Sequence, residues 1–250
     1  MSLLTVARDL QRRKARERSG RFVAEGLRTV EELLQSGLAV EGVLAADVAA
    51  QVPRAAALLD RAANAGIPVA YVSERDFDSA AGTDAPQGVL AVASVPRWSL
   101  DALTASPLHL LVLDGVQDPG NVGTILRSAA AFGVTATVAL PGTVDLWNAK
   151  VVRSAMGSHF VHPTLTCTAE ELGSFLGGRG VPLWGADAAG TPLQDVPVPA
   201  QWALAVGNEG AGLSPAVQSL VATTVALPIS AAVESLNVAV ATGIFLFALR

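Results

Sequence analysis

From residue 109 onward, unbroken apolar runs alternate with segments long enough for a helix. This alternation constrains the fold more than any other feature of the chain. His109-Leu-Leu-Val-Leu113, Val134–Leu140, Val181–Ala186, Trp202–Val206 and Thr224–Ile229 read as strands with little polar alternation. A strand apolar on both faces has to be covered on both, as in a parallel sheet lying between layers of helices. A helix over Asn121–Phe132, stopped by Gly133, fills one interval, and another runs from about Glu234 to the end of the chain. The stretch Leu236–Leu249 is too short to span a bilayer and reads as a buried helix. In open α/β sheets ligands collect beyond the carboxyl ends of the strands, so the loops that follow the strands are the places to look for chemistry.

The first 95 residues form a smaller α/β block. A basic helix comes first, then a strand and turn at Arg21–Gly26 and a helix through Leu33-Leu34 ending at Gly37. Strands are expected at Val40–Ala46, Ile67–Val72 and Gly88–Val95, with a helix at Pro53–Ala65 between the first two. This block has no cluster of His, Cys or carboxylates, so it reads as a recognition module without a metal site. Residues 96–108 are turn-rich and read as a linker, leaving 109–250 as a second, larger α/β domain.

Charge is unevenly spread within the net of −5. Residues 1–28 hold eight Arg and Lys against three acids, while the remaining 222 hold nine against nineteen. A basic arm on an acidic body points to nucleic acid, because Arg pairs with phosphate in a bidentate fashion; the alternative is a solvated, Arg-rich helix. Arg12, Arg13, Arg16, Arg21 and Arg28 are the candidate nucleic-acid contacts there, with Arg153 further along. The single cysteine, Cys167, excludes an intramolecular disulfide framework and reads as a buried thiol. No secretory or membrane segment is visible, so a cytoplasmic location is expected.

Three loops stand out in composition. The first, Asp114–Arg127, places Asn121 where a helix cap belongs, between Gly120 and Gly123, with Arg127 leaning back toward the loop. The second, Val-Gly-Asn-Glu-Gly-Ala-Gly-Leu-Ser at 206–214, has the G-x-x-x-x-G spacing of a phosphate loop but Leu213 at the lysine position. Its amides could form a nest for acceptor atoms, and Glu209 suits a ligand with donors or positive charge. The third, Leu227–Asn237, sets Ser235 and Asn237 in the first turns of the last helix.

Together DPGNVGTILRSAAAFG, VGNEGAGLS and LPISAAVESLNVAVA closely resemble the three motifs of the SpoU (TrmH-like) family of RNA ribose methyltransferases. Lys150–Gly157 resembles the family's segment after the second strand. Arg21–Gly26 and Gln87–Val92 are similar to an L30-like substrate-binding domain. The resemblance implies methyl transfer from S-adenosylmethionine to a ribose 2′-hydroxyl, in ribosomal RNA more than tRNA. It also implies a trefoil-knotted SPOUT domain and a homodimer with active sites near the interface. On that reading Arg127 handles the hydroxyl proton, and Asn121, Glu209, Ser235 and Asn237 position it and the ribose. Gly207, Asn208, Gly210, Gly212, Leu213, Leu227, Ile229 and Leu236 hold the cofactor, with Leu213, Ile229 and Leu236 packed around the adenine. A sulfonium nucleoside carries no phosphate, which would account for the absent lysine. The competing readings are an NTP-dependent enzyme using Gly207–Gly212, which Leu213 disfavours, and a non-catalytic RNA-binding relative, which the intact polar residues disfavour. An open Rossmann methyltransferase would need a glycine-rich loop after the first strand, and residues 109–140 contain none of that type.

Overall fold

In a computed structural model that describes every residue except Asp84 and Ala231, the chain forms two compact units. Asp84 belongs to the first block and Ala231 to the third loop, so these two positions of the expected pattern lie outside the described residues. Met1–Pro96 and Trp147–Val161 make one unit; Arg97–Leu146 and His162–Arg250 make the other.

The first unit begins with two helices where the sequence suggests one: α1 (Leu3–Asp9) and α2 (Arg13–Ser19), ended by left-handed Gly20. Then follow β1 (Arg21–Glu25), α3 (Leu27–Gln35), β2 (Val40–Ala46), α4 (Pro53–Asn64), β3 (Val69–Val72), α5 (Glu74–Asp78) and β4 (Val89–Ser94). The sheet order is β1-β4-β2-β3, with β4 antiparallel to both neighbours and β2 parallel to β3. Phe22, Val23 and Ala24 of β1 are fully or almost fully buried, as are Leu90 to Ala93 of β4, which explains their unbroken apolar text.

The second unit opens with β5 (His109–Asp114), α6 (Pro119–Ala131) and β6 (Ala136–Ala139). The chain then contributes α7 (Ala149–Ser154) and α8 (Ser158–Val161) to the first unit. There Trp147 stacks on His159 with ring centres 4.0 Å apart, and Phe22 lies 4.5 Å from Trp147 and 5.8 Å from Phe160. The second unit continues with β7 (Thr164–Thr166), α9 (Ala169–Arg179), β8 (Leu183–Pro192), β9 (Trp202–Gly207), α10 (Pro215–Gln218), β10 (Val221–Ala226) and α11 (Val238–Ala248). Its six strands lie in the order β10-β8-β9-β5-β6-β7 and every pairing is parallel. The doubly covered parallel sheet anticipated from the apolar runs is therefore the architecture of this unit.

Three of the boundaries that differ from the sequence expectation have a plain local reason. The last strand is Val221–Ala226, not Thr224–Ile229, since it takes its register from β8 at Val221 opposite Leu183 and Pro228 has no N–H for a ladder. Helix α6 starts two residues earlier than expected, with Pro119 at its first position. Its cap is Asp118, whose Oδ1 accepts from the Asn121 N–H at 2.7 Å. Helix α11 starts at Val238, because Asn237 caps it by accepting from the N–H groups of Ala239 and Val240. Nor is α11 buried all round: Val240, Ile244 and Phe247 form a stripe about half exposed. Among the described residues no helix is long and apolar enough to cross a membrane.

Candidate active site

Strands β5 and β9 end side by side, with Asp114 opposite Gly207, so the first two loops leave the sheet as neighbours. Asp114 is buried, and its Oδ2 accepts from the Ser214 N–H at 2.6 Å, tying the start of one loop to the end of the other. Asn208 adds a second tie, its Nδ2 donating to the Gly115 carbonyl at 2.9 Å. Thr143 accepts from the Gly115 N–H and donates to the Leu113 carbonyl, fixing the strand end below.

The glycine loop folds back on itself. Asn208 and Gly212 exchange two backbone hydrogen bonds at 3.0 Å, and Gly212 takes the left-handed conformation at φ +68°. A Cβ on Gly207 would lie 2.3 Å from the Gly212 carbonyl carbon, so only glycine fits there. The Asn208 Oδ1 accepts from the N–H groups of Gly210 and Ala211, both at 3.0 Å. These amides are thus occupied within the loop, contrary to the expectation that they form an open nest. Leu213 departs further from expectation. It is 7% exposed, packs in the core with Val217 and lies within 2.8 Å of where a Cβ on Gly185 would be. Its side chain points into the sheet core and is not part of the cavity wall, since the chain turns inward there to start α10.

Beyond the carboxyl ends of β9 and β10, and against the middle of β8, lies a cavity of about 490 Å³. Of the expected cofactor residues, Gly207, Asn208, Gly212, Leu227, Ile229 and Leu236 line it; Gly210 and Leu213 do not. Glu209, Ser235 and Asn237 also reach it. A chain of side-chain hydrogen bonds joins the three loops at its rim. Asn121 Nδ2 donates to Glu209 Oε1 at 3.0 Å, and Asn237 Nδ2 donates to Asn121 Oδ1 at 3.0 Å. Asn121 can make this bridge because it stands one turn inside α6 and not at the cap.

Sequence reasoning missed Ala186, Asp187 and Ala188, which also line the cavity. Strand β8 runs on through them to Pro192, and its register against β10 shifts between Gly185 and Thr191. An acid amid small residues just past an apolar run, as in Gly-Ala-Asp-Ala-Ala, was the available signal. Val238, Ala241 and Phe245 of α11 complete the apolar wall.

Arg127 lies exposed on α6, outside the cavity lining. No histidine lines it either. His109 stacks on Trp202, His159 is buried beside Trp147, and His162 bonds Thr137 Oγ1 at 2.8 Å, where burial pushes its pKa down to about 4. Cys167 is half-buried; burial and the charge of Glu171 raise its thiol to about 11, which makes it unreactive. Of the arginines expected to meet RNA, Arg16 does not face solvent: it is 6% exposed and donates to the Leu10 and Gln11 carbonyls, closing the end of α1. Arg12 pairs with Asp9, Arg13 with Glu17 and Arg21 with Glu41, whereas Arg28 and Arg153 are exposed.

This fold and cavity define an α/β protein that holds a small, partly apolar ligand at the carboxyl edge of a parallel sheet. Residues 109–247 match the SpoU rRNA Methylase family and residues 5–91 the MRM3-like substrate binding domain. The chain is 36% identical over 242 residues to the 23S rRNA (guanosine(2553)-2′-O)-methyltransferase RlmP of Bacillus subtilis, covering 96% of this chain and 93% of that protein. It is 36% identical to the 23S rRNA (guanosine-2′-O-)-methyltransferase RlmB of Xanthomonas campestris over 78% of this chain and 82% of the relative. The crystal structure of the SpoU methyltransferase AviRb from Streptomyces viridochromogenes, in complex with the cofactor AdoMet, superposes with a TM-score of 0.87 at 27% identity, covering 100% of this chain and 97% of that one. The chain belongs to the SpoU rRNA methylase family, and is an RNA methyltransferase dependent on S-adenosylmethionine. Its N-terminal block is a substrate-binding domain.

Proposed function

We propose that this enzyme methylates the ribose 2′-hydroxyl of a guanosine in 23S ribosomal RNA, acting as a homodimer in the cytoplasm. The observation that carries the reading is the lining of the cavity: two carboxylates, Asp187 and Glu209, and no Lys or Arg. A nucleotide phosphate would find no cation there, whereas a cationic sulfonium nucleoside meets an apolar wall and acidic rim of suitable size. S-adenosylmethionine supplies an electrophilic methyl group when bound. Leu227, Ile229 and Leu236 would hold its adenine, with Glu209 and Asp187 near its positive groups. The names and coverage of RlmP and RlmB support the 23S guanosine target.

Direct displacement requires the ribose oxygen, methyl carbon and sulfur to be held in line. Asn121, its amide oriented by Glu209 on one side and Asn237 on the other, positions the ribose, with Ser235 at the same rim. Arg127 binds the ribose or its phosphate and stabilises the negative charge that develops on the 2′-oxygen, while the hydroxyl proton passes to water. Support for the homodimer is the exposed apolar stripe of Val240, Ile244 and Phe247 on α11.

Mapping 2′-O-methyl groups in 23S rRNA from cells with and without the protein tests the reading; one guanosine should lose its methyl group. Arg127→Ala should nearly abolish methylation and leave S-adenosylmethionine binding intact. An unchanged methylation map, or near-normal turnover in that variant, refutes the corresponding part.

A further inference from the structure

We infer that the RNA-facing surface of the first unit is a patch built jointly by α3, α7 and the loop before β4, and not the basic arm at the N-terminus. This deepens the RNA-methylation reading and rests on it. The arm looks like the RNA contact in the sequence, yet most of its arginines are engaged within the protein. Arg8 pairs with Asp76, Arg12 with Asp9, Arg13 with Glu17 and Arg21 with Glu41, and Arg16 is buried. By contrast Arg28, Lys150 and Arg153 are exposed and make no ion pair with any described residue.

Packing brings these three cations, 122 or more residues apart in part, around one surface. Gln87 Oε1 accepts from the Leu27 N–H at 3.0 Å, joining the loop before β4 to the start of α3, where Arg28 follows. The same loop is pinned at its other end by the buried carboxylate of Glu25, which accepts from the Gly82 N–H at 2.7 Å and from the Thr83 hydroxyl. Gly82 abuts α7, since a Cβ there would be 3.4 Å from that of Ala149, beside Lys150. Arg153 lies one turn on from Ala149, on the same helical face. Gly157 then returns to α3: a Cβ on it would fall 2.7 Å from the Cβ of Glu32, which is one turn from Arg28. The contacts thus run from α3 through the loop to α7 and back to α3; among the described residues of these elements Glu25 is buried and Glu31 is paired with Arg54, which leaves three exposed cations against one unpaired acid, Glu32. On a chain with a net charge of −5 such a local excess has one fitting partner, a polyanion backbone.

The test measures RNA affinity against salt concentration for three full-length proteins: wild type, the triple variant Arg28→Ala/Lys150→Ala/Arg153→Ala, and the arm variant Lys14→Ala/Arg18→Ala. The probe is a 23S rRNA fragment containing the methylated guanosine, and S-adenosylmethionine binding and melting temperature are followed in parallel. Removing three phosphate contacts should reduce the slope of log Kd on log salt by about 2, with affinity at least tenfold weaker at low salt. The arm variant should keep most of the slope, and all three proteins should bind cofactor and melt alike. Single variants, each expected to change the slope by about 0.7, replace the triple one if it melts early. An unchanged slope in the patch variants, or an equal loss in the arm variant, overturns the inference while RNA binding by the wild type stands. A wild type that binds cofactor but no ribosomal RNA would instead refute the functional reading itself.

Discussion

Restoring the missing lysine of the phosphate loop, Leu213→Lys, separates a structural from a ligand-binding role for that position. Leu213 is 7% exposed and belongs to the core of the second unit. Losing its burial removes about 2 kcal/mol. A lysine there must either become neutral or pull the turn open. Neutralising it at pH 7 from an unfolded pKa of about 10.4 costs about 4–5 kcal/mol, at about 1.4 kcal/mol per pH unit. Partial exposure of the long stem through the turn offsets part of this. A net loss of about 4 kcal/mol is expected, a large share of the ~5–15 kcal/mol that holds a domain together. Urea unfolding of the variant reads the loss, and calorimetry with ATP and with S-adenosylmethionine reads the ligand. The variant should unfold far earlier, bind no ATP and lose cofactor affinity only as the loop distorts. A Leu213→Lys protein within about 1 kcal/mol of wild type, or one that gains ATP affinity, refutes the placement of this side chain in the core.

Gly207→Ala should cost at least tenfold in S-adenosylmethionine affinity by isothermal titration, because its Cβ meets backbone 2.3 Å away. Gly210→Ala, whose Cβ would lie 3.7 Å from Asn208 Oδ1, should bind nearly as wild type. Asn121→Asp sets a carboxylate against Glu209 in place of a donor 3.0 Å away, so turnover should fall about 10–100-fold at pH 8 and recover partly as pH drops and the pair takes up a proton. His162, held neutral by burial with its pKa near 4, makes the protein sensitive to acid. The unfolded chain binds the proton from about pH 6.5 downward and the folded one only near 4. Stability should therefore fall by about 3 kcal/mol between those values, in urea titrations at stepped pH, and His162→Phe should remove that part of the dependence.

Much of the site could be read in the sequence because its signals are local. Glycine at 207 and 212 and the polar Asn121 and Asn237 near helix starts each answer a demand of the neighbouring few residues, although the cap of α6 is Asp118 in place of Asn121 and Asn237 stands at the cap of α11 and not inside it. The parallel sheet could be read for a similar reason, since burial on both faces leaves an unbroken apolar run in any strand that suffers it. Asp187 escaped notice because the shift in register that carries β8 past Ala186 depends on β10, some forty residues away.

What the sequence determined by itself was most of the strands, the three loops and the family they belong to, all of which depend on short-range pattern; the edge strand β7 and the division of the first helix into two were not legible. Only the tertiary structure decided where side chains of ambiguous meaning point. It turned Leu213 into the core, spent the amides of Gly210 and Ala211 on Asn208, and linked Glu209, Asn121 and Asn237 across three loops. It likewise left Arg28 and Arg153 open while pairing or burying most of the basic arm. The physical reason is that charge and polarity are properties of a residue, whereas a partner within 3 Å is a property of the fold.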